Sequence, residues 1–233
     1  MNTILQTLFS PSRAFNELKQ DGKFPAMTLT VLLLLMAVYL ILMVPVTAKI
    51  TALTMSSMPL PEAQLERAMD VVHKLRYLQV IGGVFTTAVT LFIYAFLLYI
   101  ITLLAKPAIT FTKSFILIVY SYFTLLIGGL VNTGLLFLRG LEKITNPFEI
   151  ELTGLNLLTT MEKAGAASYT FLSLINPFQL WFLILLIVGL KVFADIKYAK
   201  ALFISVIFWL LTVIYPVVMV VFSEITMKKA GLM

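Results

Sequence analysis

YLQVIGGVFTTAVTLFIYAFLLYIITLLA, residues Tyr77–Ala105, runs for 29 positions without an Asp, Glu, Lys, Arg or His. About 20 apolar residues cross the hydrocarbon of a bilayer at the helical rise. Lipid offers no water to unpaired backbone groups, so a run of this length is read as a helix whose N–H and C=O groups bond to each other. Four further runs have the same character, at Pro25–Val46, Ser114–Leu138, Ala164–Leu190 and Ala201–Ser223. The chain is therefore expected to be all-α, a polytopic integral membrane protein with five transmembrane helices.

Composition narrows the function classes. Hydrophobic residues make up 61% of the 233 and charged residues 12%, which leaves little chain for a soluble domain. The formal charge of +6 contains no dense Lys/Arg run, so it points to topology and anionic headgroups, with no nucleic acid among the expected partners. The absence of cysteine excludes disulfides, thiolate metal sites and cysteine nucleophiles. The first apolar run follows a polar segment and lacks an Ala-x-Ala-type exit, so it is read as a retained span. Three regions are expected: a cytoplasmic amphipathic segment at 1–24, a five-helix membrane domain at 25–223 and a short tail at 224–233.

Counting Lys+Arg on alternate sides gives eight against nine, which decides nothing. The short loops weigh more, because the positive-inside bias acts through charges near span ends. Lys106 and Lys113 bracket one loop without an acid, and Lys191, Lys197 and Lys200 crowd another that holds only Asp195. These loops read as cytoplasmic, placing the N-terminus inside and the C-terminus outside.

Outside the spans, Ser10-Pro11 has the form of an N-cap followed by proline in the first helical turn. The ensuing segment puts Phe15 and Leu18 on one face, with Arg13, Asn16, Lys19 and Gln20 elsewhere. It suits a helix lying in the headgroup region, as an anchor or as a partner-binding face. Pro45 is placed where it ends the first span. After the turn-rich Met55–Pro61, helical spacing resumes with Leu65, Met69, Val72 and Leu75 and is expected to run into the second span unless Gly82-Gly83 bends it. His73, with no second His or Cys, reads as part of a solvated face, and no metal is expected. Small and hydroxyl residues in spans two and three, Asn132 among them, read as helix–helix glue.

Asn176-Pro177 is expected to open the main span-four helix, and Trp181 to belong to the interfacial aromatic belt. Pro177 to Lys191 covers only about 21 Å. The span must then gain a preceding turn or begin within the membrane, a form of broken helix that binds cargo in some transporters.

The Phe9-Ser-Pro11-x-x-x-Phe15 element, the Pro177-Phe-x-Leu-Trp181 opening and the run ending Gly189-Leu-Lys191 before Lys200-Ala201 resemble the Yip-domain family, named for Ypt/Rab-interacting proteins. The resemblance covers essentially the whole chain and implies a cytoplasmic N-terminus. Eukaryotic relatives carry a long cytosolic N-terminal region and an Asp-Leu-Tyr-Gly-Pro element. This chain shows neither, which resembles the bacterial branch and its cytoplasmic (inner) membrane, and leaves out the part credited with Rab binding.

Three functions are weighed. A non-enzymatic scaffold or adaptor would use a cytoplasmic face around Arg13, Phe15 and the loop lysines. A transporter for a small, uncharged, zwitterionic or lipidic substrate is the alternative. An intramembrane enzyme would need a base, paired acids or a metal cluster within the spans, and these hold none. Candidate interaction residues are Pro11, Arg13, Phe15, Asn176, Pro177, Trp181, Gly189, Lys191 and Lys200. No catalytic residue or cofactor is expected; the partners expected are membrane lipids, a protein at the cytoplasmic face and a second copy in a homo-oligomer.

Overall fold

A computed structural model describes residues 2–56, 62–107, 109–146 and 150–229. The turn-rich residues 57–61, the Pro147-Phe148 pair and the end of the tail from 230 lie outside them, as does the His73 side chain. The elements are α1 (Asn2–Phe9), α2 (Pro11–Asp21), α3 (Ala26–Ser56), α4 (Glu62–Ala105), α5 (Phe111–Arg139), α6 (Met161–Ala164), α7 (Ala166–Ser173), α8 (Pro177–Ala194) and α9 (Tyr198–Lys229). Two 3₁₀ turns, Leu141–Lys143 and Leu155–Leu158, lie between α5 and α6, and no strand occurs among the described residues. Five helices are long and apolar enough to span a membrane: α3, α4 from Lys74 onward, α5, α8, and α9 as far as Phe222.

The spans fall where the apolar runs place them, but the first and fourth end later than expected. Pro45 lies inside α3, which continues to Ser56. Proline forfeits one backbone bond, whereas ending the helix would orphan four carbonyls, so continuation is favoured where water is scarce. α4 runs unbroken through Gly82-Gly83 for 44 residues. The fourth apolar run is two helices, with α7 ending at Ser173 and α8 beginning at Pro177. α8 reaches Ala194 because Lys191 does not end it: the Lys191 ammonium finds a partner 4.0 Å away over the Tyr198 ring. Its 18 residues cover about 27 Å, close to the hydrocarbon thickness.

The chain forms two compact units, each assembled from three segments. Unit 1 comprises Met1–Met36, Thr86–Ile127 and Pro177–Ile214. Its centre is α5, where Phe115, Leu117, Ile118 and Val119 are fully buried in succession, the all-round burial of a core helix. Phe24 stacks on Phe115 at 5.1 Å and Phe92 meets the same ring at 4.8 Å. Tyr99 packs edge-on to Phe111 at 6.4 Å, closing the hairpin between α4 and α5. The Thr28 hydroxyl donates to Tyr120 Oη at 2.9 Å, and Phe208 of α9 meets both Tyr94 and Phe182.

Unit 2 comprises Ala37–Phe85, Gly128–Asn176 and Tyr215–Met233. Val46, Leu136 and Ile144 form its buried core, with Met43, Ile50, Ile150 and Leu152 against them. A Cβ on Gly129 would lie 2.9 Å from Tyr39 Cε2, and one on Gly83 would lie 2.7 Å from Leu40 Cδ1, so these glycines permit close helix approach. Gly82 and Gly134 have open space instead. Asn132 binds loop backbone: its Nδ2 donates to Ile150 O at 2.8 Å and its Oδ1 accepts from Leu152 N–H at 2.7 Å. The α5–α7 connection is thereby stapled onto α5 as a folded cap. Asn156 anchors the cap from within, donating to Glu151 O at 2.9 Å and to Tyr169 Oη at 3.0 Å.

Candidate functional site

The N-terminal helices supply the most distinctive geometry. Ser10 breaks the chain between α1 and α2; its side chain makes no capping bond, but its carbonyl accepts from Arg13 N–H at 3.1 Å and Ala14 N–H at 3.2 Å. Pro11 occupies the first turn of α2, where its missing N–H costs nothing. Gly22, at φ 61°, closes the other end by donating its N–H to Leu18 O at 3.1 Å.

α2 is held against α8. Ala14 and Phe15 are fully buried. The Phe15 ring meets Phe193 edge-on at 5.7 Å. Gly189 provides the notch: a Cβ there would run into Leu117 Cδ1 and lie 3.2 Å from Phe15 Cε2. One turn along α2, Lys19 Nζ donates to Val192 O at 2.7 Å. Val192 is third from the end of α8, so Lys19 supplies a donor to a carbonyl the helix cannot pair internally. Phe9 reaches Trp181 at 6.3 Å, which extends the contact along α8 to its first turns.

The nine candidate residues thus fall into four groups. Pro11, Phe15, Trp181 and Gly189 belong to this latch, with Lys19 as a member that spacing alone did not single out. Its signal was its position on α2 one turn after Phe15. Phe15 is consequently a buried plug, and only the opposite face of α2 is open. There Arg13 Nε donates to Glu17 Oε1 at 3.1 Å, with both side chains exposed. Lys191 and Lys200 lie around the start of α9, where Lys200 Nζ donates to Lys106 O at 3.3 Å. Asn176 and Pro177 mark the α7–α8 break, where Asn176 Nδ2 donates back to Ser173 O at 3.2 Å, closing α7.

The Yip1 domain family model matches residues 5–220. The chain belongs to that family. The match begins within α1 and ends within α9, so the Yip1 domain includes the latch as well as the five spans. No curated protein matches the chain as a relative, and no solved structure matches it. Among the described residues, no three His, Asp or Glu side chains gather where they could hold a metal ion.

Proposed function

We propose that this Yip1-domain protein is a non-enzymatic scaffold or adaptor, seated in a bacterial cytoplasmic membrane with its N-terminus cytoplasmic and C-terminus outside. The observation that carries the reading is the latch. A short helix fixed by a buried aromatic and a lysine–carbonyl bond presents Ser12, Arg13, Asn16 and Gln20 outward on a rigid base. A helix serving only to anchor the chain needs no such fixing, whereas a docking surface gains affinity from being ordered in advance.

The transport reading is less well supported. A small concavity in unit 2 is lined by Val44, Thr47, Ala48, Thr51, Val72, Arg76 and Gln79. Two of its hydroxyls already donate within α3, Thr47 to Val44 O at 3.0 Å and Thr51 to Thr47 O at 2.8 Å.

Photo-crosslinking from positions 13, 16 and 20 in native membranes tests the adaptor. One protein adduct shared by the three positions, and lost with Phe15→Ala, is the expected result. Lipid adducts alone at all three positions would overturn it.

A further inference from the structure

Unit 1 carries eight Lys+Arg against three Asp+Glu, whereas unit 2 carries nine against eight. Two of the three unit 1 acids are already engaged, Glu17 by Arg13 at 3.1 Å and Asp21 by Lys23 at 3.2 Å. Lys106, Lys113 and Lys197 make no ion pair among the described residues. The bond from Lys200 to the Lys106 carbonyl brings Lys106 to the start of α9. The Lys191 ammonium over Tyr198 adds a further cation around the same helix start.

Asp195, the third unit 1 acid, lies in the same stretch and offsets one of these charges, but the cations outnumber it. Like charges repel, and the first turn of α9 is the positive end of its dipole and contains no acid. An anion would relieve both terms. Beside the cations, Leu104 is 76% exposed and Phe203 64% exposed. Cations beside exposed apolar side chains match a molecule with an anionic head and a hydrocarbon tail, more closely than an acidic peptide. We propose that Lys106, Lys197 and Lys200 form a surface that selects anionic phospholipid headgroups. The inference goes beyond the adaptor reading and does not depend on it.

The test uses the full chain in bilayer discs of phosphatidylcholine with a minor share of phosphatidylglycerol. Lipid retained after extraction is measured by native mass spectrometry. The protein is expected to retain phosphatidylglycerol over phosphatidylcholine. Each lysine removed in a Lys106→Gln, Lys197→Gln, Lys200→Gln series is expected to weaken that preference by about five-fold. Lys143→Gln with Lys163→Gln, in unit 2, should leave it intact. The triple arginine variant, with an unchanged size-exclusion profile, should keep it and so separate charge from folding. Undiminished preference in the triple glutamine variant, equal loss in the unit 2 control, or loss in a folded arginine variant would overturn the proposal. Displacement of phosphatidylglycerol by excess inorganic phosphate would also overturn it, by identifying free phosphate as the occupant.

Discussion

At Gly189 the absence of a side chain does specific work, because the space a methyl group would occupy is filled by Leu117 and Phe15. Gly189→Ala is expected to destabilise the latch by about 1–3 kcal/mol, the usual cost of overpacking a closed site. Hydrogen exchange across 14–20 should accelerate while that of α5 holds, and unchanged exchange at 14–20 would refute the notch. Glu151 offers a second test. Burial holds its carboxyl above the usual carboxylate range, with a smaller opposing effect from the Thr153 hydroxyl that donates to it. A folded group that keeps its proton more tightly than the unfolded chain stabilises the cap at low pH. That contribution is lost as pH climbs from the ordinary carboxylate value through the raised one. Glu151→Gln should flatten the pH dependence of cap protection across 140–165 and strengthen the cap at neutral pH. Phe15 and Gly189 were legible as motif residues, but their meeting was not, because nothing in local spacing pairs positions so distant. Asn132 was noticed for the wrong partner: a polar side chain in an apolar run must find a hydrogen bond, and the run does not say whether a helix or a loop provides it.

Helices and their ends were unequally readable. Length and the absence of charge located all five spans, since hydrocarbon thickness imposes a scale. Ends inside apolar sequence were harder. Pro45 looked like a stop by the rules of water-exposed helices, yet α3 passes through it. The α7–α8 break, by contrast, was foreshadowed by Asn176-Pro177. Two helix ends use left-handed residues other than glycine, Lys106 after α4 and Asp195 after α8, each at φ 52°. That conformation costs a side-chain-bearing residue about 1 kcal/mol. Asp195→Gly should therefore raise the thermal midpoint, through about 1 kcal/mol of relieved strain. A fall in the midpoint would show that the Asp195 side chain contributes more than its backbone costs.

Taken whole, the molecule separates charge more than counts along the chain disclosed. Lys+Arg totals on alternate sides were nearly equal, whereas the acids concentrate in unit 2. The orientation proposed above predicts that single cysteines replacing Lys106 or Lys197 react with an impermeant reagent only from the cytoplasmic side. The cysteine-free chain makes such labelling unambiguous, and reaction from outside would invert the assignment. The helical class and the five spans were available from hydropathy alone. The latch and the cap were not, because both depend on side chains closing contacts between remote segments.

The lysine of the latch and the carbonyl it grips are 173 positions apart. A ribosome adding about 5–20 residues per second needs roughly 9–35 s to cover that distance. During that interval the first helix to emerge has no seat, because the notch that receives Phe15 has yet to be translated. The outward face of α2 is therefore finished among the last features of the protein, although it is encoded among the first. A truncated or misinserted chain would lack it, so any partner that recognises this face recognises completed molecules.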